Sequence, residues 1–234
     1  RAEQDRVSSV GEAAQESGKA WFIGVDSDQE LTLQTQLAAV TLTSGLKNVG
    51  KSIVWIIDPI DGTACFVNNM YAWCVSIALV VDGVPTIGAV YDPNAKELFH
   101  AIRGGSAYVN DQPIRVKDVA DFKGGVLGVG FSHRSQPVEF SPFMHTLLSN
   151  GGMFIRNGSG ALMLCYVAAG RLIGYYEPHI NSWDCAAAIA IVEAAGGRCN
   201  DFMANNGIAK GNPILAAGPT LYPTLVNATG KTII

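Results

Sequence analysis

The chain has 234 residues, 48% of them hydrophobic and only 15% charged, with 26 glycines and a mean hydropathy of +0.21. That balance leaves room for one large domain or two small ones, and it excludes a disordered tail, a coiled coil and a collagen-like repeat. Sixteen basic against twenty acidic residues give a formal net charge of -4, so there is no global basic field to steer nucleic acid or an anionic membrane, and any phosphate must be held locally.

In chain order, residues 1–52 stand apart. Residues 1–19 are polar and helix-like, 21–25 read as a strand, and 29–51 are rich in Thr, Leu and Gln without a clear period. From residue 53 the pattern becomes one of alternating short strands and helices. Residues 53–57 form an apolar run that predicts a buried strand ending at Asp58-Pro59, because proline cannot donate to the ladder. Residues 73–81 and 84–91 flank Asp82-Gly83, a dipeptide suited to the positive φ angles of a tight hairpin. The sheet continues through 97–102, a break at Gly104-Gly105, a turn at Asn110-Asp111 and a strand near Ile114. Residues 159–169 and 183–195 have helical periodicity, the second stopping at Gly196-Gly197. The expectation is a mixed α/β fold with much antiparallel sheet, divided into an atypical segment 1–52, foreign or mis-assigned in origin, and a main region 53–234.

Five cysteines, at positions 65, 74, 165, 185 and 199, form no CxxC pair and leave one over, which predicts reduced buried thiols rather than a disulfide scaffold or zinc knuckle. The most apolar stretches, 75–81 and 186–192, are cut by Asp82 and Glu193 well short of the roughly 18 to 20 residues a membrane span needs. No targeting peptide is visible, and the cytoplasm is the expected location, with no membrane and no nucleic acid as partner.

The chemistry concentrates in Asp58-Pro59-Ile60-Asp61-Gly62-Thr63. Two carboxylates three positions apart at the end of a strand can point into one site and share divalent cations, while amides at Gly62 and Thr63 can meet a phosphate oxygen. Asp184, at the start of the second helix, offers a third carboxylate, and three such acids need cations to coexist. Oxygen-only ligands favour magnesium or manganese over zinc. The same letters also suit a plain polar turn and a helix cap, so the spacing alone leaves both readings open.

Residues 56–66 (IIDPIDGTACF) and 182–197 (SWDCAAAIAIVEAAGG) resemble the two signature motifs of the inositol monophosphatase family of magnesium-dependent, lithium-sensitive sugar-phosphate phosphatases. Residues 75–77, 103–110, 158–162 and 167–171 follow that family in order and spacing, so the resemblance covers 53–234. It implies a layered αβαβα sandwich with largely antiparallel sheets, two or three magnesium ions, a small phosphate-ester substrate and a homodimer. By matching position, Asp58 would bridge two ions, the Ile60 carbonyl would bind one, and Asp61 and Asp184 would hold the second. Thr63 would help to activate the attacking water, and the amides of Gly62 and Thr63 would cradle the phosphate. Glu177 would bond a substrate hydroxyl, with Gly158, Ser159 and Gly160 lining the same pocket.

The family's upstream Gly-Glu-Glu segment, whose first glutamate binds metal, has no counterpart: no acidic residue occurs between Gln36 and Ile57. Residues 18–29 and 42–51 instead resemble the C-terminal lobe of the basic-membrane-protein family of nucleoside receptors, a resemblance that implies Asp26 on ribose hydroxyls and Lys47 in the same cleft. The expected function is magnesium-dependent hydrolysis of a small polyol or sugar phosphate; the alternatives are a nucleoside-binding protein and a catalytically impaired phosphatase-like protein. Four scattered histidines include His179, placed to touch a substrate, and Arg156 and Arg171 are candidates for positive charge near the pocket.

Overall fold

Strand β1 (Ala20–Gly24) runs parallel to β2 (Ile53–Asp61), and antiparallel neighbours follow through β3 (Cys74–Val81), β4 (Val84–Asp92), β5 (Glu97–Ile102), β6 (Ala107–Val109) and β7 (Gln112–Ile114). The computed structural model describes residues 20–24, as backbone, and 52–230. The expected N-terminal helix, the segment 29–51, Asp26 and Lys47 lie outside the described residues. Asp82 and Gly83 join β3 to β4 with φ of 51° and 76°, the paired positive angles that a two-residue hairpin requires.

A second sheet has the order β11-β12-β10-β8-β9, built from β8 (Val126–Val129), β9 (Met153–Ile155), β10 (Gly174–Ile180), β11 (Arg198–Cys199) and β12 (Asn212–Ala217). Strand β8 pairs in parallel with β9 and β10, while β12 is antiparallel to both its neighbours. The helices are α1 (Thr63–Val67), α2 (Pro137–Ser149), α3 (Gly160–Ala168), α4 (Ala186–Ala194), α5 (Gly207–Lys210) and α6 (Tyr222–Thr229).

Helices α3 and α4 lie between the sheets. Seven of nine residues are buried in each, as expected of a helix with apolar side chains all round. They share one core with Val54, Ile56, Val90 and Phe99 of the first sheet and Tyr175, Ile214 and Ala216 of the second. On the far face of the second sheet, Phe143 and Leu147 of α2 and Leu225 of α6 close another core over Leu127, Tyr176 and Leu215. Leu162 and Leu164 are fully buried, and truncating either to alanine costs about 2–5 kcal/mol. Sheet, helices, sheet and helices therefore give the layered mixed α/β sandwich. All five cysteines are free thiols, four of them buried, and no helix among the described residues is long and apolar enough to cross a membrane.

One boundary differs from expectation. Strand β2 does not stop at Ile57 but runs on to Asp61, with a register shift between Asp58 and Asp61. Proline is tolerated there because it sits in the irregularity, where a ladder donor is not needed.

Candidate functional site

The register shift on β2 is what assembles the site. Asp58 pairs with Ser76 and Asp61 with Cys74, so three steps on β2 oppose two on β3. In a regular strand, residues three apart point to opposite faces. The one extra residue cancels that alternation and brings both aspartates to one side. Just beyond them the chain turns at Gly62, whose φ is +90°. A side chain there would also meet the Ala72 carbonyl oxygen at 2.5 Å, so both backbone angle and space demand glycine.

Asp61 is 6% exposed and anchors the start of α3. Its Oδ2 accepts from the Ser159 hydroxyl at 2.5 Å and from the Ala161 amide at 2.8 Å. Ser159 is the N-cap of α3, its Oγ also accepting from the Leu162 amide at 3.2 Å. Asp58 accepts from the Ile60 amide at 2.9 Å. Asp184 comes from the short segment before α4 and is held by the Asn181 amide and side chain, both at 3.4 Å. One oxygen from each of Asp58, Asp61 and Asp184 lies within 4.8 Å of the others.

Burial, reinforced by the charge of Asp58, pushes the Asp61 carboxyl up to about 7. The Asp184 carboxyl is driven well above its ordinary range by burial and by Asp61 and Asp58, and Asp58 is raised chiefly by burial. Three mutually repelling carboxylates in a dry site require either bound protons or a cation. Their donors are all oxygen, and no lysine or arginine among the described residues forms a salt bridge with them. That donor set fits a hard divalent ion such as magnesium.

A cavity of about 300 Å³ opens on this cluster, lined in part by Asp61, Gly158, Ser159, Gly160, Glu177 and Asp184. Six sequence-predicted residues thus share one wall. Asp58 joins them through a carboxylate oxygen within 4.8 Å of those of Asp61 and Asp184, whereas Ile60, Gly62 and Thr63 belong to the adjoining turn. There the Thr63 hydroxyl donates to the Ile60 carbonyl at 2.9 Å. Ser159, 1% exposed, spends its hydroxyl on Asp61 and the helix cap.

Glu177, on β10, is 8% exposed and accepts from the Tyr175 hydroxyl at 2.7 Å. Burial raises its carboxyl; the Tyr175 bond and then the guanidiniums of Arg156 and Arg134 pull it back. A side chain at Gly130 would lie 2.1 Å from the Glu177 carboxylate, so this glycine is what makes room for it. His179 also lines the cavity; its Nε2 faces the Lys210 carbonyl at 3.0 Å, and its buried Nδ1 has no partner. Arg171 is elsewhere, forked onto Glu97 and stacked near Phe99 and Tyr166. Sequence reasoning missed Gly130, Tyr175 and Arg134, which sit in no motif; the only signal for Tyr175 was its spacing of two from Glu177, which on a strand means the same face.

Comparison with known proteins bears on the family and the fold. The model of the inositol monophosphatase family matches residues 27–233. The Nus factor SuhB of Pasteurella multocida is 41% identical over 192 residues, 80% of this chain and 72% of that protein. Among solved structures, the extragenic suppressor protein suhB of Bartonella henselae aligns with a TM-score of 0.75 at 27% identity, over 98% of this chain and 84% of that one. The inositol monophosphatase of Anabaena aligns with a TM-score of 0.72 at 28% identity, over 97% and 92%. Shared sequence along most of the chain, joined to the layered sandwich and its acidic cavity, means that this chain belongs to the inositol monophosphatase family.

Proposed function

We propose that the chain is a magnesium-dependent phosphomonoesterase acting on a small polyol or sugar phosphate. The observation that carries this reading is the convergence of Asp58, Asp61 and Asp184 in one cluster, beside a cavity that Asp61 and Asp184 line, with no salt bridge to a described lysine or arginine. These three carboxylates and the Ile60 carbonyl would hold two or three magnesium ions. Bound there, magnesium supplies Lewis-acid chemistry: it neutralises the phosphate, acidifies the attacking water and stabilises the departing alkoxide.

The chain's own groups do the rest. Ser159 and the Ala161 amide fix the Asp61 carboxylate, so that its free oxygen keeps one direction. Thr63, by donating to the Ile60 carbonyl, keeps its lone pairs free to accept a hydrogen bond from the attacking water and orient it. Amides of Gly62 and Thr63 would receive phosphate oxygens. With one oxygen on Tyr175, Glu177 keeps the other to accept from a substrate hydroxyl, and the unpartnered Nδ1 of His179 is a second acceptor of that kind.

Phosphate release from inositol 1-phosphate tests the reading. Turnover in magnesium that stops in excess EDTA and returns with added magnesium is expected, and lithium should inhibit it; release that persists in chelator overturns the proposal. Family membership also supports a homodimer, checked by light scattering. The 41% identity to a protein named Nus factor SuhB favours a second reading, in which the chain acts as a Nus factor. A turnover-dead Asp184→Asn chain that still replaces such a factor in cells would separate that role from catalysis.

A further inference from the structure

Besides its acids, the lining of the same cavity carries Arg134 and Arg156. One guanidinium nitrogen of Arg156 donates to the Phe131 carbonyl at 3.2 Å, which ties it to the loop that presents Arg134. That loop is itself fixed: the Gly130 amide donates to the Tyr176 carbonyl at 2.9 Å, and the Ser135 amide to the Ser132 carbonyl at 3.0 Å. Among the described residues no carboxylate lies within salt-bridge range of either guanidinium, whereas Arg103 and Arg171 are paired with Glu193 and Glu97. Two unpaired planar forks at one cavity are suited to bidentate binding of an anion. The cleaved phosphate, on the reading above, is neutralised by cations at Asp58, Asp61 and Asp184, which leaves the arginines for another negative group.

We propose that Arg134 and Arg156 bind a second anionic group of the substrate, so that the site prefers a sugar or polyol phosphate bearing a further phosphate or carboxylate over a simple monophosphate. This rests on the phosphatase reading and narrows its substrate class.

Three 1-phosphates of one sugar, differing only at C6, provide the test: glucose 1-phosphate, glucuronate 1-phosphate and glucose 1,6-bisphosphate carry a hydroxyl, a carboxylate and a phosphate there. In magnesium, kcat/KM for at least one C6 anion should exceed that for glucose 1-phosphate by about tenfold or more, the scale of one charge-assisted hydrogen-bond pair. That ratio should fall towards one in Arg134→Ala and Arg156→Ala and return in part in Arg134→Lys and Arg156→Lys; the better C6 anion names the group. Equal rates on all three substrates overturn the proposal. So does a ratio unmoved by the arginine variants, which would mean that the arginines act on the cleaved phosphate itself. Absence of release from all three and from inositol 1-phosphate sinks the phosphatase reading instead; wherever the three sugars are not turned over, calorimetry with the same compounds in magnesium decides the arginines alone: tighter binding of the C6 anions, lost in both alanine variants, upholds them, and equal binding ends the proposal.

Discussion

Asp58, Asp61 and Glu177 are each less than a tenth exposed and take hydrogen bonds from a strand, a helix start and a buried tyrosine. Arg134 and Arg156, on the lining of the same cavity, are exposed, come from loops and share one tether, the Arg156 bond to the Phe131 carbonyl. Two of the three carboxylates that would hold cations sit on a strand and the third just before a helix, whereas the arginines that would meet a variable part of a ligand are built on loops. The contrast predicts unequal sensitivity. Asp58→Asn and Asp184→Asn keep the shape but remove a charge from the cation site, and the several kcal/mol of transition-state stabilisation at stake correspond to about a thousandfold loss of kcat/KM. Phosphate-release kinetics at saturating magnesium check this. Losses as small as those of the arginine variants would erase the distinction between the two walls.

The next largest effect tests whether the acidic wall depends on its supports. Ser159 touches no substrate on this reading, yet it holds Asp61 and caps α3 at once. Ser159→Ala should weaken magnesium affinity by about 10–100-fold, the usual cost of losing a group that orients a metal ligand, and lower stability by about 1 kcal/mol through the lost cap. Magnesium titration and thermal melts measure the two separately. Ser159→Thr, which retains the hydroxyl, should recover most of the affinity. A stability loss without any change in magnesium dependence would reduce Ser159 to a cap.

The two walls also differ in how far the sequence discloses them. The acidic wall was legible because Asp-x-x-Asp-Gly-Thr and Trp-Asp are contiguous, and backbone geometry makes contiguous residues neighbours in space. The consequence of Pro59 was misread: the strand passes through it by way of a register shift, and the shift, not the end of the strand, aligns Asp58 with Asp61. Both central helices were readable because they are apolar on nearly every side. Helix α2 carries Pro142 inside it, a residue that discourages helix, and leaves most of its surface exposed. Of the basic wall only Arg156 was expected near the pocket; Arg134 gave no signal, because the two are 22 positions apart in unlike loops, and the pairing of β8 with both β9 and β10 is what brings those loops to one cavity. Arg171, the other arginine expected near the pocket, is bound to Glu97 on the first sheet.

Glu177 stands between the walls, buried like the acids but influenced by both arginines. Glu177→Gln keeps an acceptor for Tyr175 and loses the charge that strengthens a bond to a substrate hydroxyl. The expected loss is about tenfold and falls mainly on KM, since a charge-assisted hydrogen bond is worth about 1.5–3 kcal/mol and part of it survives in the amide. Steady-state kinetics on inositol 1-phosphate check it. A loss confined to kcat would move Glu177 to the reacting end of the cavity and break the comparison there.

The smallest effect concerns the protein without metal. In excess chelator the Asp61 carboxyl, pushed up to about 7 from an ordinary 3.8, carries a proton in the folded state that the unfolded chain has already lost across that interval. An acid raised in this way contributes stability that is fully present below its unfolded pKa and is lost as pH rises through its folded pKa; Asp58 and Asp184 are shifted in the same direction. Melting temperature in EDTA, compared with that of Asp61→Asn to subtract all other titrating groups, should therefore decline by a few degrees between about pH 4 and about pH 7. Saturating magnesium should flatten the difference, because a cation then does what the protons did. Parallel curves in chelator and in magnesium would mean that the three carboxylates do not share a cation, and the acidic wall would then differ from the arginine wall only in burial.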